Sequence, residues 1–153
     1  MKNKALKIGV TLFSIVLVAG LGSLFVNLGS DWFNSLIKPT QWIPNILIPI
    51  MWTIIYLSFA VILTLWQLKS DLPKSVIIWL VINGVLNVIW CLFFFTLNLT
   101  FLGNILIVLN LIAGFVLFVQ IDKYKPIYAY ITALYPIWLS LATTLNLALW
   151  ILN

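Results

Sequence analysis

The chain has 153 residues, of which 64% are hydrophobic and only 7% charged, against about 25% charged residues in an ordinary soluble domain. That ratio excludes a water-soluble globule, and apolar runs of about 20 residues, the length a bilayer core demands, leave no room for a separate soluble domain. The net charge of +5 comes from eight lysines against three aspartates; the lysines flank the apolar runs, so the charge reads as membrane topology and not as nucleic-acid binding.

The first apolar run spans about residues 8–27, after Lys2, Lys4 and Lys7. A basic start before an apolar stretch also fits a cleaved signal peptide, with Ala19 to Ser23 as the small-residue site. Apolar character continues through Leu24, Phe25 and Val26, which favours a retained span. Leu28 to Asn45 follows, with Trp32, Lys38, Pro39, Trp42 and Pro44; its prolines and lack of helical periodicity predict a structured loop. The second run covers about 46–68, with Pro49 in its first turn, where a missing N–H is tolerated. The link from Lys69 to Lys74 leads to the third run, about 75–95, and an uncharged turn, Thr96 to Thr100, leads to the fourth, about 101–121. Pro126, after the charged stretch Asp122 to Lys125, opens the fifth, about 126–151. The expected architecture is an all-α membrane protein, a single domain over 1–153 with five transmembrane helices and a structured loop between the first two.

Five spans place the N-terminus and the links 69–74 and 122–125 on one side. That side collects Lys2, Lys4, Lys7, Lys69, Lys74, Lys123 and Lys125, leaving only Lys38 on the other. The excess predicts a cytoplasmic N-terminus and an outer C-terminus. Trp66, Trp79 and Trp150, near span ends, read as interfacial anchors, and Trp32 and Trp42 as anchors or as parts of a lid.

No Asp, Glu, Lys or Arg falls in the middle of a span, which disfavours proton-coupled transport. Histidine is absent and Cys91 is the single cysteine. These counts exclude an intrachain disulfide and a His-ligated haem; no metal site and no required cofactor are expected. What the spans carry is uncharged and aromatic. Asn83, Asn87, Trp90 and Phe94 share one face of the third run, Trp52 and Tyr56 of the second, and Trp138, Ala142 and Asn146 of the fifth. An amide facing lipid is left unsatisfied, so these faces should point inward. Each residue alone reads as an interhelical contact; the three faces together point to a ligand pocket.

These residues carry a resemblance. Trp32-Phe33, Leu36, Lys38-Pro39, Pro44, Pro49, Trp52 and Tyr56 look like the first-loop and second-helix signature of the TspO/MBR family, the tryptophan-rich sensory proteins that include the mitochondrial translocator protein. Asn87 to Phe94 is similar to its N-x-x-W…FF pattern, and Trp138 to Asn146 to its W-x-x-x-A-x-x-L-N pattern. Gly22-Ser23 with Phe25 and Val26 adds a weaker match. The resemblance implies a bacterial member in the cell membrane, a homodimer, and a pocket beneath the first loop for porphyrins such as protoporphyrin IX and for benzodiazepine-site ligands. Carried over, the pocket residues are Trp52, Tyr56, Asn87, Trp90, Trp138 and Ala142, with Trp32 and Pro44 in the lid. Phe94 and Asn146 join them from the spacing argument.

Leu145 to Trp150 lacks the tyrosine and basic residue of the family's sterol motif, so sterol binding does not carry over. Pro136 stands two residues before Trp138 where the family often places proline four before, which predicts a shifted kink. Three functions follow: a receptor or sensor that sequesters tetrapyrroles, a light-dependent porphyrin-degrading activity with Trp138 and Trp52 as electron donors or traps, and a carrier of apolar molecules. Trp and Tyr faces suit a flat macrocycle, while the amides and Lys38 would meet its carboxylates.

Overall fold

The computed structural model describes residues 2–40 and 43–153, so Trp42 lies outside the described residues. Helix α1 runs Lys2–Leu28 and is followed by a short helix α2, Ser30–Ser35. Next come α3, Leu47–Lys69, and α4, Lys74–Cys91, which passes into a π-helical turn, Leu92–Thr96. Then α5 spans Thr100–Tyr124, α6 Pro126–Thr132 and α7 Leu134–Leu152. Among the described residues five spans are long and apolar enough to cross a membrane, with α4 and its π turn forming one and α6 and α7 together another. Among the described residues there is no strand. This is the five-span all-α architecture read from the sequence.

Proline marks the starts. Pro73 precedes α4, Pro126 occupies the first turn of α6, and Pro49 lies in the first turn of α3, positions where no intrahelical donor is needed. Pro136 instead falls just inside α7, where its missing N–H cannot serve the Thr132 carbonyl. The fifth span accordingly breaks at Ala133, between α6 and α7, and the expected kink lies there.

The third span ends differently. The Leu97 N–H bonds the Leu92 carbonyl at 2.9 Å, the wider spacing of a π turn, and the Leu99 N–H bonds that of Phe93 at 2.9 Å. Asn98 then takes a left-handed conformation, φ 58°, which asparagine adopts more readily than most residues. The Thr96 hydroxyl bonds the Phe25 carbonyl at 2.9 Å and ties this turn to α1.

Side-chain contacts sort the ends of the bundle. Lys4 Nζ bonds the Leu68 carbonyl at 3.3 Å and Lys7 Nζ pairs with Asp71 at 2.7 Å, so the N-terminus and the α3–α4 link share one end. The hydrogen bond from Lys7 holds the Asp71 carboxyl below the usual carboxylate range. At the other end Asn153 bonds both the N–H and the carbonyl of Ile37, at 2.8 and 3.0 Å, which ties the end of α7 to the first loop.

Helices α4, α5 and α7 pack closely around a polar knot. Asn83 Nδ2 donates to the Trp79 and Ala113 carbonyls at 2.7 and 3.0 Å, and the Tyr135 hydroxyl lies 3.1 Å from Asn83 Oδ1 and 3.2 Å from Asn110 Oδ1. Gly114 permits the approach, because a Cβ there would lie 3.0 Å from Leu139 and 3.4 Å from Tyr135; small residues serve this purpose in membrane bundles. Trp66 is only 2% exposed and packs on Tyr128, with ring centroids 5.9 Å apart. It is a core residue and not the interfacial anchor expected from its place near the span end. Trp150 is exposed beside Phe101.

Candidate functional site: an aromatic cavity under the first loop

A cavity of about 410 Å³ opens between α1, α2, α3 and α4 at the end of the bundle that carries the first loop, within the range of small-molecule sites. Trp52, Tyr56, Trp90 and Phe95 form its aromatic walls, with Asn87 and Cys91 beside them. Its rim is polar, drawn from Ser23, Asn27, Ser30, Asn34, Asn45 and Thr53.

Trp52 sits at the centre of the aromatic system. Its ring lies 5.9 Å from Tyr56 at 28°, 6.1 Å from Trp90 at 36°, and 6.3 Å from Tyr135 at 63°. Turn spacing explains the first contact, since residues four apart share a helix face. The second bridges α3 and α4. Asn87 is buried, its Oδ1 lying 3.8 Å from Cys91 Sγ one turn on. The π turn then carries the chain so that Phe94 and Phe95 are both buried. Phe95 reaches the cavity, while Phe94 stacks behind Trp90 at 6.4 Å and 28°.

The sequence-predicted residues therefore divide. Trp52, Tyr56, Asn87 and Trp90 line the cavity. Phe94, Trp138, Ala142 and Asn146 do not; they are buried in the packed interior. Ala142 and Phe94 belong to the same apolar cluster as Trp90, and Trp138 to the cluster of Phe59, Tyr135 and Leu139. Trp32 packs edge-on to Phe94 at 5.6 Å and 73°, so it anchors α2 over the π turn. Pro44 is exposed in the loop before α3, its carbonyl accepting from the Leu47 N–H at 2.9 Å. Lys38 folds back, donating to the Phe33 carbonyl at 3.1 Å with its ammonium 5.0 Å from that ring.

The wall supplied by α1 carries no aromatic residue and only the polar pair Ser23 and Asn27, one turn apart, to mark it. Ala19, Gly22, Ser23 and Val26 line the cavity; of these, only Gly22, Ser23 and Val26 stood out, as a weak match. Gly22 faces Cys91, and a Cβ there would lie 3.6 Å from its Sγ. Several interior donors find no partner among the described residues, including the indole N–H groups of Trp90 and Trp138 and the Nδ2 groups of Asn104, Asn110 and Asn146. Among the described residues no group of His, Cys, Asp or Glu is placed to hold a metal ion.

Two bacterial proteins are similar to this chain over most of its length. The Bacillus subtilis (strain 168) "Uncharacterized membrane protein YtaB" is 30% identical over 151 residues, covering 95% of each chain. The Rhodobacter capsulatus "Protein CrtK" is 27% identical over 154 residues, covering 94% of this chain and 93% of that protein. The TspO/MBR family model matches residues 10–151, which reaches into all five spans and takes in every wall of the cavity, and the chain belongs to the TspO/MBR family.

Proposed function

We propose that the chain is a membrane receptor for flat, apolar tetrapyrroles of the protoporphyrin IX type, bound in the cavity under the first loop, where benzodiazepine-site ligands would compete. The observation that carries this reading is the ring system of Trp52, Tyr56 and Trp90 facing one cavity whose rim is amide and hydroxyl. Ring faces stabilise a planar macrocycle by offset stacking, and the rim offers donors to its carboxylates. Buried donors without partners, such as the Trp90 indole N–H, are costly in a closed protein, and a polar ligand edge would relieve that cost. Family membership supports the same reading, as does the absence of charge from the middle of the spans.

Titration of the purified protein with protoporphyrin IX, followed by absorption in darkness, tests it. Trp52→Ala should weaken binding about tenfold, equivalent to about 1.4 kcal/mol. Trp138→Phe, which does not touch the cavity, should leave affinity within about twofold. Absence of binding to the unaltered protein rejects the reading.

Light-dependent degradation is a second reading, favoured by direct exposure of tryptophan to the bound ring. On that reading the role falls to Trp52 and Trp90, which line the cavity, in preference to Trp138, which does not. Loss of the porphyrin spectrum under light, abolished in Trp52→Phe but kept in Trp138→Phe, would support it. Persistence of the spectrum under light leaves a receptor, and accumulation of porphyrin inside proteoliposomes would instead mark a carrier. A homodimer belongs to the same proposal and is read from the mass of the detergent-solubilised protein.

A further inference from the structure

A second and larger cavity, about 790 Å³, lies toward the opposite end of the bundle between α1, α3 and α4. We propose that it holds one acyl chain of an anionic phospholipid whose headgroup rests on the lysines at its mouth.

Helix α1 lies at the edge of the bundle, with only 6% of its most apolar stretch buried, and the cavity opens beside it. Its walls are mostly aliphatic, from residues such as Val10, Ile15, Leu63 and Leu80, with Asn83 and Tyr135 among the polar exceptions. Two contacts fix its shape. Gln67 Nε2 donates to Thr11 Oγ1 at 2.9 Å and holds α1 to α3, while α1 and α4 approach at Gly84, where a Cβ would lie 3.1 Å from Val18. The inner end reaches Tyr56 and Asn87, which also line the aromatic cavity. An apolar groove open to the bilayer is occupied by what the bilayer supplies at that depth, a hydrocarbon chain.

Charge selects the headgroup. Lys7 and Asp71 stand at the mouth, Lys4 is bound to the Leu68 carbonyl beside it, and Lys69 and Lys74 flank Asp71 in the chain. The Lys7–Asp71 pair is exposed, 51% and 68%; such pairs are weak and leave Lys7 able to share an anion. This lysine-rich end is the one expected to face the cytoplasm, where anionic lipids concentrate. A second copy of the chain is a poorer occupant, because a symmetric pair apposes the same patch on both copies and would bring these lysines together.

The test is native mass spectrometry of the full chain released from nanodiscs of equal phosphatidylglycerol and phosphatidylcholine. One phosphatidylglycerol should remain bound per chain, retained at least fivefold over phosphatidylcholine. Lys4→Gln with Lys7→Gln should bring the two lipids toward equal retention. Ser14→Trp and Val81→Trp, made separately on the groove lining, should each remove the retained lipid while thermal unfolding stays cooperative. Should either tryptophan variant misfold, the lysine variant still decides. No retained lipid, equal retention by the unaltered protein, retention unchanged in every variant, or a lipid-free dimer would overturn the proposal. Porphyrin titration does not enter the readout, so the fate of the aromatic site is independent of this result.

Discussion

Gly22 and Gly29 stand on the same stretch of backbone, yet a methyl group means something different at each. At Gly29 a Cβ would fall onto the Phe95 carbonyl oxygen, and backbone on both sides cannot yield. Gly29→Ala should cost at least the 1–3 kcal/mol typical of overpacking. At Gly22 the nearest atom is the Cys91 sulfur at 3.6 Å, so Gly22→Ala should stay within about 0.5 kcal/mol. Thermal melting in detergent separates the two. Tyr135→Phe belongs to this scale as well. It removes the hydroxyl shared by Asn83 and Asn110, and should cost about 0.6 kcal/mol, up to about 1.7, the range for polar contacts in bilayers. Spacing picked out Trp52, Tyr56, Asn87 and Trp90, which line the cavity, and equally Phe94, Trp138, Ala142 and Asn146, which do not, because a shared face says inward and not what it faces. Gly22 showed only as a weak family match and Gly29 not at all, because what fixes each is a neighbour distant in the chain.

At the scale of elements, hydropathy located the five spans because each must bury its backbone polar groups within itself across the bilayer. The irregularities lie where hydropathy is blind. A π turn over Leu92–Thr96 needs only a shifted hydrogen bond, and no residue type announces it. Its consequence is large, since it carries Phe95 to the cavity and leaves Phe94 packed behind Trp90. Trp66 misled for a related reason: proximity to a span end suggested the interface, but the broken fifth span brings Tyr128 against it. The stop after the π turn depends on Asn98 at φ 58°. Asn98→Val puts a β-branched residue there and should destabilise by about 1–2 kcal/mol, whereas Asn98→Gly should be neutral or slightly stabilising. A lower midpoint of thermal unfolding for Val but not for Gly confirms that this conformation ends the span.

At the scale of the whole molecule, the lysine distribution and the contact pattern agree on which ends belong together. Lys7 on Asp71 gathers the N-terminus with the α3–α4 link, and Asn153 on Ile37 gathers the end of α7 with the first loop. Contacts alone assign neither end to a side of the membrane; the lysine excess predicts that its own end faces the cytoplasm. Cysteine labelling resolves the point, using Cys91→Ala as background because Cys91 is buried in the bundle. Asn3→Cys and Thr40→Cys place thiols at exposed positions on opposite ends. In intact cells a membrane-impermeant maleimide should label Thr40→Cys and spare Asn3→Cys until the cells are opened. The reverse pattern would place the aromatic cavity's rim on the cytoplasmic side and the lysine-lined groove on the outer one. Both ligand proposals would then have to draw their occupants from the other leaflet.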